Sequence, residues 1–143
     1  MLAETLARVR ESAPLVHCIT NYVTVNDCAN VLLACGASPI MADDPGEAEE
    51  ITSLAAGLVL NLGTLDQRKH SAMLLAGKRA NALGIPVVLD PVGAGASTMR
   101  TGAALRLLEE IRFAVIRGNM SEIRALALAR GHTRGVDAGA ADR

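Results

Sequence analysis

Short apolar runs alternate along this chain with longer stretches of helical periodicity. The runs are Leu15–Ile19, Ser38–Ala42, Leu58–Leu62, Pro86–Leu89 and Phe113–Ile116. They are nearly all apolar, as strands covered on both faces are. Helix patterns fall around them over Met1–Ser12, Val23–Cys35, Pro45–Ala55, Asp66–Leu83, Thr98–Glu110 and Ser121–Ala129. The first is amphipathic, mixing Leu2, Leu6 and Val9 with Glu4, Arg8, Arg10 and Glu11. The second stops at Gly36 and the fourth at Gly84, residues suited to a left-handed helix end. On the fourth, Met73, Ala76, Ala80 and Leu83 share one face. Strand alternating with helix predicts an α/β fold, a mainly parallel sheet with flanking helices. Residues 1–129 are expected to form one unit. From Arg130 the glycines Gly131, Gly135 and Gly139 punctuate a polar stretch, predicting a tail over 130–143 without a further strand or helix. A parallel sheet stopped there would leave an edge unpaired, so the pattern reads as truncated.

Composition narrows the function. Half of the 143 residues are apolar, enough for a sizeable core, and the formal net charge is −1. Tyr22 and Phe113 are the only aromatic residues, which leaves no stacking platform for bases. No basic run tracks a phosphate backbone, so neither nucleic acid nor an anionic membrane is an expected partner. No stretch approaches the roughly 20 apolar residues of a membrane span. Cys18, Cys28 and Cys35 are odd in number and form no C-x-x-C pair, which points to a reduced, cytoplasmic setting.

The polar residues that invite chemistry all follow the apolar runs. Thr20 and Asn21 follow the first; Met41, Asp43 and Asp44 end the second; Asn61, Gly63 and Thr64 end the third. Asp90, Gly93 and Gly95 end the fourth, and Arg117, Asn119 and Glu122 the fifth. In an open parallel sheet these positions share one edge, where ligands bind. Asp90, before a glycine turn and a helix start, suits a hydrated metal beside phosphates, or a plain Asp-Pro turn. The dinucleotide fingerprint fails, since Thr98 stands where its third glycine belongs. Arg117 offers a guanidinium fork for phosphate oxygens. Glu122 suits Mg²⁺ through water, yet Asn119 with Glu122 three residues on also makes a capping box that needs no ligand. Met41 lines an apolar pocket or packs in the core. Asn21 bonds a substrate heteroatom or caps the next helix. His17, within an apolar run, reads as a satisfied buried histidine. Cys28 and Cys35 read as small buried hydrophobes, and His70 and His132 as exposed.

Five segments carry a family resemblance in order: Pro14–Asn21 (PLVHCITN), Gly36–Ala42 (GASPIMA), Leu60–Leu65 (LNLGTL), Leu89–Ala96 (LDPVGAGA), and Ile116-Arg117-Gly118-Asn119 followed by Glu122-Ile123. Together they resemble the hydroxyethylthiazole kinases of the ribokinase-like group, from about Pro14 to Ala125. Gly135–Gly139 (GVDAG) resembles a later segment of the family. The resemblance implies a ribokinase-like fold and ATP-dependent phosphorylation of 4-methyl-5-(2-hydroxyethyl)thiazole in thiamine biosynthesis or salvage, with Mg²⁺. It also implies a homotrimer with thiazole sites at subunit interfaces. By position, Met41 and Asn21 would meet the thiazole, with Gly63 and Thr64 near it. Arg117 and Asn119 would serve ATP, and Asp90 and Glu122 the metal. Family chains are nearly twice as long. Their second half carries a Gly-rich phosphate loop ending in a cysteine, a position that none of Cys18, Cys28 or Cys35 occupies. The resemblance therefore makes this chain an N-terminal half, inactive by itself and without a catalytic residue of its own. The alternatives are a non-catalytic ligand-binding or assembly module of the same fold, and, from the fold pattern alone, a flavodoxin-like nucleotide-binding regulatory domain.

Overall fold

A computed structural model describes residues 1–138, with side-chain surroundings described through Gly131. The elements in order are α1 (Leu2–Ser12), β1 (Leu15–Ile19), α2 (Val25–Cys35), β2 (Ser38–Met41), α3 (Ala48–Leu54) and β3 (Gly57–Asn61). They continue as α4 (Gln67–Leu83), β4 (Val87–Asp90), α5 (Thr98–Glu110), β5 (Val115–Ile116) and α6 (Met120–Ala138). Every strand pair is parallel, in the order β2-β1-β3-β4-β5. The chain thus moves outward in opposite directions from the β1/β3 boundary, the switch point at which doubly wound sheets open a crevice. Register then aligns the strand ends. Cys18 pairs with Met41, Ile19 with Leu60, Asn61 with Asp90, and Leu89 with Ile116.

The core explains why these runs become strands. Leu58, Leu60, Val87 and Leu89 are buried against Ala72, Met73, Ala76 and Ala80 of α4 and Leu107 of α5. Burying each large aliphatic side chain contributes about 1.5–3 kcal/mol. Gly77 lets Ile111 close in, because a Cβ there would lie 2.2 Å from Ile111 Cδ1. Asp66 and Ser97 cap α4 and α5 by accepting the amides of Lys69 and Arg100. Gly36 and Gly84 end α2 and α4 in the left-handed conformation. His17 is fully buried and satisfied. Its Nε2 donates to the Ala42 carbonyl at 2.7 Å, and Nδ1 lies 2.9 Å from Thr52 Oγ1. Burial holds its pKa below the usual histidine value, so the ring is neutral. Burial, with Cys28 nearby, pushes the Cys18 thiol up to about 11, which makes it an unreactive core residue.

Several local expectations are corrected. Helix α3 starts at Ala48, because Asp44 caps a turn first, with its Oδ1 accepting from Gly46 N at 2.8 Å. Strand β5 is only two residues long, and both of them are exposed. Cys28 and Cys35 are half-buried, as is His70, whose Nε2 donates to the Ala103 carbonyl at 3.3 Å. Leu83 does not complete the buried face of α4 and is 45% exposed. The last helix does not stop at Ala129. It continues to Ala138, into the segment read as a tail. Glycine disfavours a helix interior by only about 1 kcal/mol, which the rest of a long helix offsets. His132 and Gly135–Gly139 lie outside the residues whose side chains are described.

Candidate active site

Amide side chains bridge the switch point. Asn21, just past β1, donates from Nδ2 to Asn61 Oδ1 at 3.1 Å. Its own Oδ1 accepts from Thr24 N and Thr24 Oγ1 at 3.0 and 3.1 Å, holding the turn that leads into α2. Thr24, rather than Asn21, occupies the N-cap position of that helix. Asn61 Oδ1 also accepts from Gly63 N at 2.9 Å. Only glycine fits at position 63, since a Cβ would lie 2.6 Å from Asn21 Cβ. The loop then passes through Thr64, a non-glycine residue at φ 44°. Its Oγ1 accepts from Tyr22 N at 3.1 Å, linking the β3–α4 loop to the β1–α2 loop.

Asn61 extends this bridge to the charged end. Its Nδ2 donates to Asp90 Oδ2 at 3.0 Å, and Arg117 Nη1 lies 3.4 Å from the same oxygen. Burial raises the Asp90 pKa. Arg117 and the Asn61 hydrogen bond pull it down, and Glu122 pushes it up, leaving a net rise. Arg117 is anchored by its backbone, whose N–H donates to Leu89 O at 2.9 Å, while its side chain is 71% exposed. The guanidinium thus pairs with Asp90 at the rim and keeps most of its surface open to solvent.

The capping box forms. Asn119 Oδ1 accepts from Glu122 N at 2.9 Å, and Glu122 Oε2 accepts from Asn119 N at 2.9 Å. Glu122 does more than cap. Its Oε1 accepts from Gly93 N at 3.0 Å, tying the start of α6 to the glycine turn after β4. The carboxylate caps α6 and borders an open depression of about 570 Å³ between Gly93–Ala96 and α6. Arg100, which the sequence did not single out, braces the same turn. Its Nη1 donates to Leu62 O at 2.9 Å and Val92 O at 3.2 Å.

At the other end lies a mostly apolar pocket of about 300 Å³, lined by Cys18, Thr20, Tyr22, Val25, Met41 and Asp43 among others. Tyr22 rims it, held by donation from its hydroxyl to Asp43 Oδ2 at 3.1 Å. The edge therefore runs from an apolar pocket, through two amides, to a carboxylate–guanidinium pair. All the predicted residues lie along it: Met41 in the pocket, Asn21, Gly63 and Thr64 at the bridge, and Asp90, Arg117, Asn119 and Glu122 at the charged end. Sequence reasoning noticed Asn61 without giving it a part, and its pairing across from Asp90 is what makes it central.

Fold and edge together define a doubly wound parallel α/β protein whose strand C-terminal edge carries an apolar pocket at one end and an open charged depression at the other. The profile of the hydroxyethylthiazole kinase family matches residues 6–143, and the chain belongs to that family. A hydroxyethylthiazole kinase of Clostridium acetobutylicum is 64% identical over 143 residues, which is all of this chain and 52% of that protein. One from Methanocella arvoryzae is 56% identical over 136 residues, 51% of its length. The solved structure of the hydroxyethylthiazole kinase protein from Pyrococcus horikoshii OT3 is 49% identical. It superposes with a TM-score of 0.87 over 93% of this chain and 52% of that one. The chain spans about half the length of the relatives it matches. A receiver domain of a Pseudomonas aeruginosa sensor histidine kinase also superposes, with a TM-score of 0.54 at 12% identity, a likeness of fold alone.

Proposed function

We propose that this chain forms one wall of an ATP-dependent kinase that phosphorylates the alcohol of 4-methyl-5-(2-hydroxyethyl)thiazole in thiamine biosynthesis or salvage. The observation that carries this reading is the chain of hydrogen bonds from Asn21 through Asn61 to Asp90, with Arg117 beyond. It joins an apolar pocket to a charged end along one sheet edge. That is the layout required when the alcohol of an apolar ring must meet a polyphosphate. Phosphoryl transfer needs chiefly positioning and charge neutralisation. Here Met41 and Asn21 hold the thiazole, Gly63 and Thr64 shape its surroundings, and Arg117 and Asn119 receive the phosphates.

The donor set fits Mg²⁺. Among the described residues no cluster of three or more His, Cys, Asp or Glu forms an all-protein cage. Mg²⁺ rarely uses one, keeping several waters and binding through one or two carboxylates plus substrate phosphates. Asp90 and Glu122 would hold it in that manner. Each Glu122 oxygen accepts one backbone N–H and keeps a lone pair for a metal-bound water. The ion, when bound, supplies neutralisation of the phosphate charge. Asp90, held by Asn61 and Arg117, is set to orient it.

A homotrimer with thiazole sites between subunits, in the cytoplasm, belongs to the same proposal. Exposed apolar side chains around α2, among them Tyr22, Val23, Val31 and Leu33, supply surface for such an assembly. No described helix is long and apolar enough to cross a membrane.

The test uses an enzyme of the relatives' length that carries this sequence as its first half. There Met41→Ala should raise the thiazole KM roughly tenfold, in line with the loss of a half-buried apolar side chain from the pocket. The ATP KM should change little. Equal rises in both would point to repacking of the sheet edge. Binding of the thiazole without any release of ADP would favour the ligand-binding module instead.

A further inference from the structure

Lys69 is an unusual residue to find inside this fold. It is 1% exposed and heads the buried face of α4 that continues through Met73, Ala76 and Ala80. An aliphatic residue would complete that face, and an ammonium is costly to bury unless its donors are met. They are met here by loop atoms. Nζ donates to Thr20 O at 3.1 Å, and to Thr64 O and Thr64 Oγ1 at 3.3 Å each. It also sits 3.9 Å from the centroid of the Tyr22 ring, over its face. Thr20 and Tyr22 belong to the loop after β1, and Thr64 to the loop after β3. The loops therefore meet on this one cation, on either side of the switch point. Thr20 and Tyr22 line the same pocket as Met41. Thr64, at positive φ, additionally receives Tyr22 N.

We propose that Lys69 is a positioning residue for the thiazole: its ammonium pins the β1–α2 loop to the β3–α4 loop and so fixes the Tyr22 wall of the substrate pocket. This rests on the functional reading above. The bonds of Lys69 all fall on these two loops, away from Asp90, Arg117 and Glu122 at the charged end. Its loss should therefore act on one substrate only. Bonds from a charged donor carry enough free energy that losing them raises the thiazole KM about tenfold to a hundredfold. The turnover number and the ATP KM change little, the pattern of lost ground-state binding.

The experiment compares Lys69→Met, of similar length and apolar, with the unaltered enzyme, both built as residues 1–143 joined to the second half of the Clostridium acetobutylicum relative. Lys69→Gln, which keeps a donor but is too short to join both loops, serves if Lys69→Met does not fold, and the same split is expected. A folded variant with an unchanged thiazole KM, or with both KM values raised alike, overturns the inference alone. An unaltered enzyme that does not act on the thiazole overturns the functional reading and the inference with it.

Discussion

Replacing Arg117 with alanine is expected to lower the turnover of the complete enzyme by about 10²–10³, the usual cost of removing one preorganised group that stabilises developing charge. That loss should fall on chemistry and not on folding. The side chain is 71% exposed, and its link to Asp90 spans 3.4 Å at the rim. Exposed ion pairs of this kind contribute little to stability. The strand end is held by Arg117 N donating to Leu89 O, a bond that alanine keeps. The melting temperature should therefore barely move. Arg117→Lys keeps the charge but loses the planar fork, so it should recover only part of the rate. An unchanged rate and ATP dependence in Arg117→Ala would remove the residue from the nucleotide site.

Asp90→Asn is expected to cost a comparable factor in turnover while leaving the protein folded. The amide replacing the carboxylate keeps an oxygen that can accept from Asn61 Nδ2, so the inter-strand bridge survives. What disappears is negative charge beside Arg117 and Glu122, in a half-buried position where it is costly to maintain. A protein gains nothing in stability by retaining such a group, and a metal–phosphate site gains its orientation. Thermal unfolding and steady-state rates measured on the same sample separate the two roles. If activity and stability fall together, Asp90 serves the fold. The pair of substitutions also probes how the charged end works as a unit. Because Asp90 and Arg117 are neighbours, their effects should not add.

Much of this arrangement was legible in the chain. Buried parallel strands carry continuous apolar runs, so all five were found within a few residues. Polar residues after each run then had to share an edge, whichever order the strands took. Glycine ends marked α2 and α4 for local reasons that tertiary packing did not override. What escaped was whatever depends on which loops meet. Asn61 was visible as a polar strand end, but nothing in sequence pairs it with both Asn21 and Asp90. Lys69 escaped for a different reason. It falls four residues before Met73, on the apolar face of α4, so its burial was available from spacing. A lysine near a helix start is ordinarily solvated, and that expectation hid it. Cys28, Cys35 and Leu83 erred the other way, since apolar character does not reveal how fully a helix face is covered. The extent of the last helix is not legible because glycine, a frequent helix terminator, is only a small penalty inside a long helix.

On the proposed reading, these residues form one wall of a thiazole kinase whose other wall is carried by the half that the relatives have beyond this span. One coupled assay of ADP release, run with and without 4-methyl-5-(2-hydroxyethyl)thiazole, tests it directly. The 143-residue chain alone should release no ADP in response to the thiazole. The same sequence joined to the second half of the Clostridium acetobutylicum relative should do so, and Asp90→Asn should abolish most of the release. Thiazole-dependent turnover by the chain alone, or none by the joined protein, would contradict the account.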